Sequence, residues 1–207
     1  MATNIDPKIF LHVGCGPLTK KALRGFDSDE WDELRFDIDP GVNPDIQGTL
    51  TDMGLVDDGC IDALFSSHNI EHLYPHEIGI ALGEFKRVLK PSGFVVLTCP
   101  DLQSVCASIV ADRLDEPLYI SPAGPICPID ILYGHRPSML AGNLFMAHRT
   151  GFTRSTLTNA FAQAGFGNVL CSGRPDEFSL WLIAYKENAS DIQIRADAAV
   201  YLPPHAV

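Results

Sequence analysis

Short, wholly apolar runs recur along the chain, and between them the apolar positions either spread to helical spacing or give way to glycine and proline. Lys8 to Val13 reads as a buried strand, ended by Gly14 and Gly16, with a short helix expected from Leu18 to Arg24. Leu34 to Ile38 is a second strand, stopped at Asp39-Pro40-Gly41 because proline cannot donate to a ladder. Too few residues separate Pro40 from Ile46 for a helix, so a third strand near 45–49 must follow through a short loop. Ile61 to Ser66 is apolar enough for a central strand, and His76 to Leu89 carries its apolar residues at helical spacing. Lys90-Pro91-Ser92-Gly93 should stop that helix, leaving Phe94 to Cys99 as a further strand closed by Pro100.

The next region differs. Pro117, Pro122, Pro125, Pro128 and Pro137 forbid a long helix, yet Tyr119, Tyr133 and Phe145 keep it apolar, which predicts an ordered insertion at about 114–148. Thr153 to Ala164 returns as a helix ended by Gly165, with Thr153 or Ser155 as its cap. Phe166 to Cys171 and Leu180 to Tyr185 close the pattern as two strands around a polar turn. Alternating strand and helix argues for a parallel sheet covered on both faces. Residues 1–186 are therefore read as one domain carrying the inserted lid, and 187–207, with weak periodicity, as a loosely attached tail.

Charge removes one class of partner. Lys and Arg number 15 against 26 Asp and Glu, a net charge of −11, whereas a binder of nucleic-acid backbones carries the opposite balance. Five carboxylates between Asp27 and Glu33 read as a solvated surface run. The six cysteines stand singly, with no Cys-x-x-Cys pair and no matching pair of histidines, so reduced thiols and no metal are expected. With no secretory signal and no apolar stretch near the roughly 20 residues that span a bilayer, a cytoplasmic protein away from membranes is expected.

Chemistry concentrates after the first strand. Glycines at 14 and 16 let a ligand approach the backbone, and Asp37 lies 21 positions after Gly16 at the end of the next strand. That is close to the spacing of about 20 at which a carboxylate meets ribose hydroxyls. A dinucleotide fingerprint needs a third glycine at position 19, where Thr19 stands. The departure favours a nucleoside cofactor without phosphate, such as S-adenosylmethionine, over a nicotinamide dinucleotide.

Four segments in order, Val13-Gly14-Cys15-Gly16, Phe36-Asp37-Ile38-Asp39-Pro40, Ile61 to Leu73 with its Glu71-His72-Leu73, and Phe85 to Gly93, resemble the class I S-adenosylmethionine-dependent methyltransferases, and more narrowly their bacterial type 11 branch. The resemblance spans about residues 8–186. It implies an α/β fold, a Rossmann-like three-layer sandwich with a mostly parallel seven-stranded sheet and an antiparallel last strand. It also implies that Gly14, Cys15 and Gly16 face the methionine end of the cofactor, Asp37 the ribose and Ile38 the adenine face. Asp52 and Met53 would meet the adenine, with Ser67 and His68 lining the cofactor from the other side. His12 stands where the first motif of the family has an acidic residue, and Leu18 where it has its last glycine.

Methyl transfer from an activated sulfonium asks mainly for alignment, with a general base only where the acceptor must lose a proton. His72 and His148 are the candidate bases. Tyr133, His135 and Arg149, in or beside the insertion, are the candidate contacts to a small-molecule substrate, Arg149 through a bidentate bond to an anion. Two other readings stay open on the sequence: a degenerate methyltransferase fold that binds a partner without catalysis, and a nicotinamide oxidoreductase.

Overall fold

In the computed structural model, residues 7–204 are described. Five parallel strands form most of the main sheet: β1 (Lys8–Val13), β2 (Trp31–Asp37), β3 (Ile46–Gln47), β4 (Ile61–Ser67) and β5 (Leu89–Pro100). A small antiparallel hairpin follows, β6 (Tyr119–Ser121) with β7 (Gly124–Ile126). The chain then returns to the main sheet through β8 (Asn168–Arg174) and β9 (Ser179–Tyr185), β9 running antiparallel to both its neighbours. The order across the sheet is β3-β2-β1-β4-β5-β9-β8. This is the expected α/β Rossmann-like sheet of seven strands, mostly parallel.

Both faces of the sheet are buried because successive side chains point to opposite sides. Leu11, Leu64, Val95 and Leu182 join one core with Leu82 and Phe85 of α1 (Ile78–Val88) and with Leu157 and Phe161 of α5 (Arg154–Gln163). Phe10, Phe65, Val96 and Ile183 face the other core, with Phe26, Trp31 and Ile194. Thr153 caps α5 as expected, its hydroxyl accepting from the Thr156 amide.

Several local expectations are corrected. No α-helix follows the glycine turn: only one 3-10 turn, Lys20–Ala22, forms, and the segment instead sends Phe26 into the core. Strand β2 begins three residues early, at Trp31, whose buried ring packs edge-on against Phe10 and Phe26. The helix does stop before Lys90–Gly93, as expected, but β5 begins at once, at Leu89 and not at Phe94, and the extra residues are absorbed by a register shift against β4. A helix that the pattern did not predict, α2 (Leu102–Val110), is capped by the Asp101 carboxylate on the Gln103 amide at 3.0 Å. The insertion is ordered, adding α3 (Pro128–Tyr133), α4 (Arg136–Leu140) and a 3-10 turn at Leu144–Met146 to the hairpin.

The tail also differs from its expected loose attachment. Asp191–Tyr201 is a helix, α6, capped by Ser190, and Tyr201 packs its tilted ring 4.9 Å from Phe26 and 5.0 Å from Phe94. No helix among the described residues is long and apolar enough to cross a membrane. Because Ile194 is buried in the second core, Ile194→Ala should lower unfolding stability by about 2–4 kcal/mol. A change below about 0.5 kcal/mol by urea denaturation would mark a surface position instead.

Candidate functional site

The carboxyl ends of β1, β2 and β4 meet at one place because these strands are neighbours and parallel, the arrangement in which open α/β sheets bind ligands. After Val13 the chain turns through Gly14 at φ +62° and Gly16 at φ +51°, left-handed values that favour glycine. The two glycines differ in what lies over them. A Cβ on Gly14 would overlap the Asn69 carboxamide, while a Cβ on Gly16 would meet nothing within 4 Å. Asn69 earns that close approach by donating its Nδ2 to Val13 O at 3.0 Å and Ser67 O at 2.9 Å.

Asp37 closes the other side of the turn. Its Oδ2 accepts from the Gly16 amide at 2.8 Å and its Oδ1 from the Asp39 amide at 2.9 Å, so the carboxylate links β2 to the glycine loop. Above it opens a cleft of about 380 Å³, lined by Gly14, Gly16, Asp37, Ile38, Ser67 and His68, and further by Gly48, Thr49 and Leu50. That volume lies in the range of small-molecule and cofactor sites. His68 reaches the cleft from a left-handed backbone, φ +53°, held by its amide on Thr98 O at 2.9 Å.

Three expected cofactor residues are not among those lining the cleft. Cys15 is buried, and that burial pushes its thiol up to about 11, so it stays neutral. Met53 is fully buried in the core and gives its amide to Glu84 at 2.8 Å, while Asp52 accepts from the Gly54 amide at 3.1 Å. The short loop before them shifts the edge of the cleft back to Thr49 and Leu50. This shift follows from the missing crossover helix between β2 and β3, whose place is taken by a single 3-10 turn, Pro40–Val42.

The histidine at position 12 finds its acid elsewhere. His12 is buried and bonds through Nδ1 to Glu33 Oε1 at 2.7 Å, and Glu33 Oε2 accepts from the Lys20 amide at 2.8 Å. Glu33, read from sequence as part of a solvated acidic run, therefore anchors the turn after the glycines. Burial holds the His12 ring below its ordinary value, outweighing the pull of Glu33.

Of the expected substrate contacts, Arg149 lines the cleft; its Nη1 donates to His72 O at 3.0 Å and its guanidinium lies over the Tyr74 ring. Tyr133 is 63% exposed, His135 bonds Ser138 Oγ at 2.7 Å, and neither side chain lines the cleft. The insertion contributes Asn143, Phe145 and Met146 in their stead. Their signal in the sequence was the apolar Leu144-Phe145-Met146 run just before His148.

The two candidate bases come together. The His72 and His148 rings lie 4.9 Å apart, and both stand beside Glu71, which is 1% exposed. His72 is part of the cleft wall; His148 is not among the lining residues. Burial pushes the Glu71 carboxyl up, but the neighbouring imidazoles, His68 foremost, outweigh it and leave it below the ordinary carboxylate value. Desolvation pushes His68 down and Glu71 more than offsets it, whereas burial leaves His148 below its ordinary value.

Residues 11–97 match the methyltransferase domain family model. Solved structures with the same fold include a didemethyltoxoflavin N1-methyltransferase from Burkholderia thailandensis, with S-adenosylhomocysteine bound. It is 16% identical, with 88% of this chain and 72% of that one covered at a TM-score of 0.52. A further one is an S-adenosylmethionine-dependent methyltransferase from Archaeoglobus fulgidus, 13% identical, covering 87% of this chain and 86% of that one at a TM-score of 0.54. The chain spans only 47% of the citrinin polyketide synthase CMeT domain structure, at 13% identity, 88% coverage of this chain and a TM-score of 0.53. No curated protein matches the chain. The sheet order is that of the class I methyltransferase fold, and the match to the methyltransferase domain is confined to residues 11–97, less than half of the chain.

The two glycines give separable outcomes. Gly14→Ala forces the Asn69 carboxamide aside and strains a left-handed residue, which should lower stability by on the order of 2–4 kcal/mol in urea denaturation. Gly16→Ala should cost about 1 kcal/mol for the backbone alone and act chiefly on S-adenosylhomocysteine affinity, read by calorimetry. Equal affinity for that ligand in wild type and Gly16→Ala would place the cofactor away from this turn.

His12 adds a pH dependence. Its folded pKa is depressed, so its contribution is present above the unfolded value and is lost as pH falls through the folded one. Between about pH 7.5 and 5.5 the urea midpoint of wild type should therefore fall more than that of His12→Gln. Parallel curves would contradict this.

Proposed function

We propose that this protein transfers a methyl group from S-adenosylmethionine to a small-molecule acceptor, with the cleft at the ends of β1, β2 and β4 as its active site. The single observation that carries the reading is the Gly16 turn: a left-handed glycine, held by Asp37, with open space directly above it inside the cleft. That space fits a ligand packed against backbone, and it belongs to the segment matched by the methyltransferase domain. When bound, S-adenosylmethionine supplies an activated methyl group.

The chain's own residues bind and orient. Gly14 and Gly16 let the backbone close on the methionine end, Asp37 offers its carboxylate at the ribose, and Ile38 presents an apolar face for adenine. Ser67 and His68 form the opposing wall, with Thr49 and Leu50 at the adenine edge. On the acceptor side stand His72, Arg149, Phe145 and Met146, a mixture of apolar surface and one cation that suits a small polar or anionic molecule. The acidic balance of the chain and the lid beside the cleft both count against a long polyanionic substrate.

Saturation with S-adenosylhomocysteine at about 100 times its Kd should add about 2.7 kcal/mol, raising Tm by roughly 5–10 °C for a chain of this size. Incubation with methyl-labelled S-adenosylmethionine and cell extract should place label in the low-mass fraction, and Arg149→Ala should reduce it while Tyr133→Ala does not. No melting shift with S-adenosylhomocysteine would reject the cofactor reading; label confined to macromolecules would reject the small-molecule acceptor.

A further inference from the structure

We propose that Glu71, His72 and His148 bind a divalent transition-metal ion at the lid side of the cleft. One donor atom from each residue lies within 4.8 Å of the others. Two histidines and one glutamate are a donor set that suits zinc and its neighbours, with a remaining position for water or substrate.

Two independent features point to a cation. The first is Glu71 itself, buried to 1% exposure, whose Oε2 has no hydrogen bond and whose Oε1 meets only an imidazole. Its nearest basic neighbour is His68 Nδ1, 3.3 Å from Oε1. A buried, under-partnered carboxylate is costly and calls for a positive charge beside it.

The second feature is the way both imidazoles are held. His72 Nδ1 faces the Ala147 carbonyl at 3.1 Å and His148 Nδ1 the Ile131 carbonyl at 2.7 Å. A carbonyl accepts only, so each neutral ring carries its proton on Nδ1 and offers the Nε2 lone pair. Metal-bound histidines are oriented in this way, by a backbone carbonyl on the other ring nitrogen.

The same geometry disfavours a carboxylate–imidazole dyad built from these residues. A dyad would place Glu71 on a histidine Nδ1–H, yet both Nδ1 atoms are taken by backbone. A tetrahedral ion with bonds of about 2.1 Å holds its donors roughly 3.4 Å apart, so binding draws the three side chains slightly inward. The lid supplies one ligand: His148 follows Ala147, which bridges to Gly134, so the ion would also tie the insertion to the Ile70–His72 turn.

Because His72 is in the cleft wall, an ion held there would stand beside the cleft, where an acceptor could reach it. Such an ion would lower the pKa of an acceptor hydroxyl bound to it, easing loss of its proton to water and making the oxygen a stronger nucleophile. This acceptor role rests on the methyltransferase reading; the coordination itself does not.

The test is titration of the full chain with Co2+ after chelator treatment, followed by visible absorption. One equivalent should produce d–d bands that Zn2+ abolishes, and the isosteric Glu71→Gln and His148→Gln should each weaken Co2+ binding at least 10- to 100-fold. His76→Gln, outside the cluster, should bind as wild type. Wild type without those bands, or variants that bind Co2+ equally well, would overturn the site, and the wild-type spectrum decides even if a variant fails to fold. Melting with S-adenosylhomocysteine in the presence of chelator separates the two readings. A cofactor shift without Co2+ bands rejects the metal alone, and Co2+ bands without a cofactor shift reject the methyltransferase reading while the metal site stands.

Discussion

The Asn69 carboxamide is the contact on which the site depends. It follows β4, yet it reaches across to the end of β1, where its Nδ2 meets the Val13 carbonyl directly over Gly14. Any side chain at position 14 would force the two strand ends apart. By binding Ser67 O as well, the same amide fixes the residues that follow β4, including the turn that carries Glu71 and His72. One side chain thus sets the glycine loop on one side of the cleft and the turn that carries His72 on the other. A displacement of Asn69 would disturb both, although it is itself neither a base nor an acid.

Asp37 plays the matching part from β2. Its two oxygens are engaged with the Gly16 and Asp39 amides, which explains why an acid is needed there even before a ligand arrives. The loop is also gripped from below, since Arg35 Nη2 donates to Gly16 O at 2.5 Å and Glu33 receives the Lys20 amide. These are charge-assisted bonds, stronger than neutral ones. They compensate for the absence of an α-helix after the turn, where a helix N-terminus would otherwise organise the amides.

The parts of this arrangement that were legible in the sequence are those written in local pattern. Apolar runs marked β1, β4 and β5, and the spacing of Gly16 and Asp37 survives into a direct hydrogen bond. What was hidden depends on distant partners. Glu33 sits among five carboxylates and looks solvated until His12 and the Lys20 amide are brought to it by β-pairing. Helix α6 has a weak apolar stripe because alanine fills much of it, and its attachment comes from Tyr201 meeting Phe26 and Phe94. Met53 looked available for adenine, but one missing crossover helix moved the cleft edge upstream to Thr49 and Leu50. The triad of Glu71, His72 and His148 was half visible: its first two residues adjoin, and the third comes from the far end of the insertion.

That insertion does more than line one side of the cleft. Asp130 and Arg136 pair at 2.7 Å, and the Asp130 carboxylate also takes the Cys127 amide, so the short helices α3 and α4 are fixed to each other despite their lengths. Such a brace matters because helices of one or two turns are marginal alone. It holds Ile131 and Ala147 where their carbonyls reach His148 and His72. The orientation of both imidazoles is therefore set by lid backbone, not by their own element, and Arg149 returns the connection by bonding the His72 carbonyl. The insertion and the Ile70–His72 turn are consequently one physical unit: loosening the Asp130–Arg136 pair would free the carbonyls that orient both imidazoles.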